Sequence, residues 1–218
     1  SKFMLERILT DCEAAWGLRS VALRYFNAAG ASEDGLIGED HHPETHLIPR
    51  VLMAITGEIE KITVFGRDYP TPDGTCIRDY IHVEDLADAH AKAVDYLNDG
   101  KPNLTVNLGT GVGTSVLQIL AATEKAAGKP VPHVFAPRRL GDPANVYADA
   151  TLAQQTLGWA ATRSYEDIIN SAFKNEKHPL YPYILVLGII IALAAMFLIF
   201  KGIMTLVKSL FDGDKNNQ

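Results

Sequence analysis

Cysteine is scarce: Cys12 and Cys76 are the two in 218 residues. They form no metal or redox spacing, and a chain with a full core needs no disulfide, so a reducing cytoplasm is the expected setting. Basic charge is also in the minority, with 20 Lys and Arg against 26 Asp and Glu, a net of −6. The last forty-one residues carry three Lys and two Asp, so the first 177 hold seventeen basic and twenty-four acidic residues, net −7. A surface of that sign repels phosphate backbones and argues against nucleic acid as a partner, while leaving room for one basic pocket around a single anionic ligand. Signal peptide and initiator Met are both missing. Ser1-Lys2-Phe3 runs straight into an amphipathic helix, so the sequence is expected to enter a longer chain partway along a helix. What is present is ordinary for a globular chain, with 47% hydrophobic and 21% charged residues. The length suits one good-sized domain, with or without an appendage.

Helical and strand-like segments alternate. Phe3, Met4, Ile8, Leu9 and Trp16 fall at helical spacing over 3–16, and Gly17 closes that helix. Residues 21–26 read as a strand, and a polar loop runs from Asn27 to about His46. A second helix is expected over 47–55, stopped at Gly57. A strand follows at 62–66, then a turn around Pro70 and Gly74. A strand over 79–83 leads into a strong helix over 84–97, and 105–108 is again strand-like. Ser115 is a candidate cap for a helix to Ala127 ended by Gly128. A strand over 131–135 is interrupted by Pro132, and helices fit 150–157 and 165–175. The alternation predicts an α/β architecture.

At Tyr183 the composition changes. Residues 183–200 carry no charge and are dominated by Ile, Leu, Ala and Val. As a helix they span about 27 Å, close to the hydrocarbon thickness of a bilayer. Tyr181 and Tyr183 stand at one edge and Lys201 at the other, as at two membrane interfaces. The apolar face continues through Ile203, Leu206, Val207 and Leu210. The expected organisation is therefore a globular part over 1–181, a transmembrane helix with an amphipathic extension over 182–211, and a polar tail over 212–218. If the anchor is genuine, the globular part faces the cytoplasm. The flanking lysines are too evenly placed to give an orientation.

Five motifs stand in order. They are Leu23-Arg24-Tyr25-Phe26-Asn27; Val64-Phe65-Gly66 with Asp68-Tyr69-Pro70-Thr71 and Asp73-Gly74-Thr75; Arg78-Asp79-Tyr80-Ile81-His82-Val83-Glu84-Asp85-Leu86-Ala87; Asn107-Leu108-Gly109-Thr110-Gly111; and Arg138-Arg139-Leu140-Gly141-Asp142-Pro143. Over residues 1 to about 181 the chain resembles the UDP-glucose 4-epimerases of the extended short-chain dehydrogenase/reductase family. The resemblance implies a partial Rossmann-type fold, of which this is the carboxyl-terminal, UDP-sugar-binding part. It implies NAD as cofactor, a UDP-hexose as substrate, C4 epimerisation as reaction, and a possible homodimer. Ser1-Lys2 matches the end of the family's Tyr-x-x-x-Lys motif. Lys2 is then the motif lysine, on the nicotinamide ribose. The catalytic tyrosine and the glycine-rich dinucleotide loop are expected before residue 1, and the chain alone is expected to be inactive.

The same resemblance places Tyr25 and Phe26 near the nicotinamide and Asn27 on the diphosphate. It puts Arg78 and Arg139 on the UDP, as suits planar guanidinium donors facing phosphate oxygens. Asp142 falls on the ribose hydroxyls, and Thr63 and Phe65 line the uracil pocket. His46 and Leu47 fall where many relatives have Asn-Leu against the nucleotide, so His46 departs from the pattern. Val146 occupies the position that controls sugar size, and its intermediate bulk predicts some tolerance of N-acetylhexosamines. Taken without the resemblance, Arg78 reads equally as an ion-pair partner of Asp79 or Glu84, Asp142 as a loop cap, and Tyr25, Phe26 and Phe65 as core. His41, His42 and His46 do not read as a metal site, because no carboxylate or cysteine is fixed nearby at ligand spacing. Gly109-x-Gly111-x-Gly113 lacks the third glycine of a dinucleotide loop at its proper spacing and reads as a tight strand-to-helix turn. Two other functions compete with the epimerase: an epimerase of UDP-uronic or N-acetylated sugars, and a non-catalytic, membrane-tethered nucleotide-sugar-binding module.

Overall fold

The chain divides into two units, Ser1–Lys177 and His178–Gln218. The computed structural model describes residues 2–176, so the apolar segment expected to cross a membrane lies outside the described residues. Among those described, no helix is long and apolar enough to cross a membrane.

The elements follow in the order α1 (Lys2–Trp16), β1 (Val21–Tyr25), β2 (Asn27–Ala29), α2 (Leu47–Thr56), β3 (Ile62–Phe65), β4 (Ile77–Arg78), β5 (Tyr80–His82), α3 (Val83–Asn98), β6 (Leu104–Leu108), β7 (Thr114–Ser115), α4 (Val116–Ala127), β8 (His133–Ala136), β9 (Asn145–Val146), α5 (Thr151–Leu157) and α6 (Tyr165–Glu176). Helices separate most of the parallel strands, as an α/β chain requires. Ladders pair β1 with β6, β2 with β5, and β3 with β8, all parallel. In a three-stranded set β4 lies between antiparallel β7 and parallel β9.

Three apolar clusters hold these ladders. Ile48 and Leu52 of α2, Ile119 of α4 and Ile168 and Ile169 of α6 close over Tyr80 of β5. Val51 and Ile55 on the next face of α2 meet Ile62 and Val64 of β3 and Leu120 of α4. Ile81, Leu86, Ala89, Val106, Leu108 and Trp159 form the third. α2, α3 and α4 thus bury residues spaced three or four apart, which is the source of their stability in such short segments.

The helices start and stop where side chains satisfy their free backbone groups. Ser115 caps α4 in a reciprocal capping box with Gln118, and left-handed Gly128 (φ 70°) ends it. His82 caps α3: its Nδ1 accepts from the Glu84 amide at 3.1 Å, and its Nε2 shares a hydrogen bond with Ser171 Oγ at 2.9 Å. Since Nδ1 accepts, the ring proton belongs on Nε2, and the ring is neutral. That cap ends the strand at His82, one residue earlier than the sequence pattern suggests.

Four short strands escape the sequence pattern. β2 lies within what reads as loop, while β4, β7 and β9 have two residues each, too few to show alternation. The strand expected at 131–135 begins at His133 instead. Pro132 has no amide to donate and serves the ladder only through its carbonyl, which accepts from Ile62 at 2.9 Å.

Candidate nucleotide-sugar site

Two buried carboxylates set the scaffold. Asp85 is 3% exposed. It accepts from the Thr162 and Arg163 amides, from Thr162 Oγ1 at 2.9 Å and from Arg163 Nη1 at 2.7 Å. Burial alone would raise its carboxyl, but these donors outweigh it and hold it below the ordinary range. Asp79 is 1% exposed. It accepts from Thr110 N (3.0 Å), Thr110 Oγ1 (2.7 Å) and Ala148 N (3.0 Å). The Gly109 turn therefore holds an internal carboxylate on its amides. Gly109 is required there because a Cβ would stand 2.4 Å from Asp79 Oδ2 and 2.6 Å from the Ala148 Cβ.

Fixing Asp79 also fixes its neighbour Arg78. The possible ion-pair partners Asp79 and Glu84 are both committed elsewhere, Asp79 to those amides and Glu84 to Arg163 at 2.6 Å. Arg78 instead forms an ion pair with Asp142 through Nη2 and Oδ1, and its Nη1 donates to the Ile77 carbonyl at 2.6 Å. Two residues drawn separately from sequence thus meet across sixty-four positions. The loop-cap reading of Asp142 gives way to this pairing. Val146 joins them, since β9 places it in register with Arg78.

Arg139 lies exposed with its guanidinium 4.0 Å from the centre of the Phe65 ring. Phe65 is not a core side chain: Ile62 and Val64 fill the core, while Thr63 and Phe65 point to the other face of β3. The next arginine, Arg138, has a different role. Its Nε donates to Asp68 at 2.8 Å, and its guanidinium sits 4.4 Å from the Tyr69 ring centre. A cavity of about 440 Å³, lined by Gly66, Arg67, Asp68, Phe135, Pro137 and Arg138 among others, opens at these strand ends.

Asn27 follows β1 and joins the same group: its Nδ2 donates to the Asp79 carbonyl at 2.9 Å. Tyr25 and Phe26 are 45% and 43% exposed, so they are not core residues. Tyr25 makes an edge contact with His90, the centroids 6.3 Å apart. Lys2 is exposed at the start of α1. One turn on, Glu6 Oε1 accepts from Arg24 Nε of β1 at 2.7 Å, which ties that helix to the strand bearing Tyr25. Leu47 turns its side chain into the first two apolar clusters.

His46 differs most from the sequence reading. Its Nδ1 lies 2.7 Å from Glu39 Oε1 and 3.1 Å from Glu44 Oε1, so carboxylates are fixed beside the histidines after all. Glu44 stands two residues before His46, and Glu39 is brought back to it by the loop.

Tyr69 belongs to one of the motifs, but the sequence does not show its burial. It is 5% exposed, and its hydroxyl has no hydrogen-bond partner among the described residues. Burial, then the charge of Asp142, pushes the phenol up. Cys76 is also pushed up by burial and is no candidate nucleophile.

Two family models match the sequence, one of them over its first half. A second family, of unknown function (DUF6095), matches residues 167–213. A UDP-glucose 4-epimerase of Streptococcus mutans is 49% identical over 183 residues, covering 84% of this chain and 54% of that protein. The crystal structure of UDP-glucose 4-epimerase from Brucella ovis in complex with NAD superposes with a TM-score of 0.77 at 51% identity, covering 78% of this chain and 53% of that one. The enzyme from Bifidobacterium longum, in complex with NAD⁺ and UDP, gives 0.76 at 43% identity, covering 82% and 54%. The chain spans about half the length of the curated relatives it matches. The NAD dependent epimerase/dehydratase family matches residues 1–109, half of the sequence, and the chain belongs to that family.

Proposed function

We propose that these residues supply the UDP-gripping part of a UDP-glucose 4-epimerase, an NAD-dependent isomerase that interconverts UDP-glucose and UDP-galactose. The observation that carries this reading is the meeting of Arg78 with Asp142, beside Val146 and Asn27, with Arg139 over Phe65. In this reading the two guanidinium groups take the diphosphate charge, where charge-assisted bonds are strongest. Asp142 shares its carboxylate between Arg78 and the ribose hydroxyls. Thr63 and Phe65 give the uracil a flat apolar floor, with the Leu47 and His46 backbone at its edge. Such a grip holds the nucleotide and leaves the hexose free to present either face.

Tyr25 and Phe26 expose ring surface at the carboxyl end of a parallel strand, where α/β sheets receive ligands, and this suits a nicotinamide. The Lys2 ammonium suits ribose hydroxyls. When bound, NAD supplies the acceptance and return of a hydride at the sugar C4. The chain spans about half the length of its relatives, and assayed by itself it is predicted to bind UDP without turnover.

Turnover is testable in a chimera that places the corresponding amino-terminal half of the Brucella ovis enzyme before this chain. The chimera should convert UDP-galactose to UDP-glucose, and Val146 predicts measurable conversion of UDP-N-acetylgalactosamine as well. Inactivity on every UDP-hexose in a well-folded chimera would overturn the epimerase reading. Activity on UDP-galactose alone would overturn the sugar tolerance.

The charge-free run over 183–200 supports a second part of the proposal, that residues 182–211 anchor the chain in a membrane. The full chain should then stay with membranes through high-salt and alkaline washes and be released by detergent. Release by salt would contradict it.

A further inference from the structure

We propose that His41, Glu44 and His46, with Glu39 alongside, form a binding site for one zinc-class divalent cation. One ligand atom from each of the first three lies within 4.8 Å of the others. The Nδ1 of His46 faces two carboxylates at 2.7 and 3.1 Å. A ring nitrogen carries at most one hydrogen, so one N–H serves two acceptors. Two carboxylates and the two rings of His41 and His46 make a donor set that one divalent cation can bridge with both rings neutral.

Geometry and donor chemistry point the same way. Glu44 has a side chain only 7% exposed, and its Oε1 is pinned by the His46 amide at 2.6 Å. His46 stands at the amino end of α2 but makes no side-chain cap bond, so its ring faces the loop instead. The His41 ring lies 5.4 Å from it. With metal–ligand bonds of about 2.0 Å, the edge of a tetrahedron is about 3.3 Å. The His46–Glu44 separation of 3.1 Å is already close to that. Two imidazoles with carboxylates favour zinc over calcium or magnesium, which prefer all-oxygen sets. A bound ion would tie the 39–46 loop to the first turn of α2. The inference does not rest on the epimerase reading, because its test measures metal and not turnover.

The purified 218-residue chain, freed of metal by chelator, is titrated with zinc chloride by calorimetry and with cobalt(II) followed by visible absorption. One saturating ion per chain is expected, with the intense visible bands of four-coordinate cobalt reached at one equivalent. His41→Ala and Glu44→Gln should each weaken zinc binding about tenfold or more, while His133→Ala leaves it unchanged. Circular dichroism checks the fold of each variant. If Glu44→Gln does not fold, the exposed His41 carries the comparison. Absence of saturable binding, or undiminished affinity in every folded variant of His41 and Glu44, overturns the site.

Discussion

At the residue scale, partnership separates groups that composition treats alike. Arg138 and Arg139 are adjacent, yet Arg138 is spent on Asp68 and Tyr69 while Arg139 rests on a ring that a flat base can share. Asp79 and Asp85 close backbone amides, whereas Asp142 sits with Arg78 near the surface. His82 gives a pH prediction. Its imidazole is held below the ordinary range, first by burial and then by the charge of Arg163. The unfolded chain takes up that proton near pH 6.5, the folded chain only at lower pH. Between the two values the unfolded state binds more protons, so stability is full above about 6.5 and falls as pH is lowered. Melting temperatures measured from pH 7.5 to 5.5 should decline, and His82→Asn, which keeps an acceptor at the cap, should flatten the decline. An equal slope in both proteins would contradict this role.

At the element scale, the site is built from strand ends and from turns whose close approaches admit little. The Gly109 turn lies against Asp79 and Ala148, and Asp79 in turn holds Arg78. Gly109→Ala should therefore destabilise the fold by about 1–3 kcal/mol, as overpacking does, read from the urea midpoint. It should also weaken nucleotide binding through the shift of Arg78. Long periodic helices such as α3 and α4 were legible in the sequence because their buried residues recur every three or four positions and their caps are local. The two-residue strands β4, β7 and β9 were not, because their pairing is set by partners far along the chain. The same distinction holds for the site. The motifs named Arg78, Arg139, Asp142 and Phe65, but the pairing of Arg78 with Asp142 and the stacking of Arg139 are long-range facts. The unpartnered Tyr69 hydroxyl was hidden for that reason too, whereas Glu44 and Glu39 lie close to His46 in sequence and only the path of the loop brings their carboxylates to its ring.

At the scale of the whole molecule, the proposed nucleotide-sugar grip draws Arg78, Arg139, Asp142, Asn27 and Phe65 from the first 177 residues, on a scaffold shared with the epimerase/dehydratase family. In that proposal this surface recognises UDP. The most direct test is calorimetric titration of the 218-residue chain with UDP, beside Arg139→Ala and Arg78→Ala. One UDP per chain is expected, with affinity lowered about tenfold or more in each variant, as on losing a charge-assisted contact worth roughly 1.5 kcal/mol or more. Because Arg139 is exposed, its variant should melt with the parent protein. No saturable binding of UDP, or Arg139→Ala and Arg78→Ala proteins that bind it as tightly as the parent, would contradict the claim.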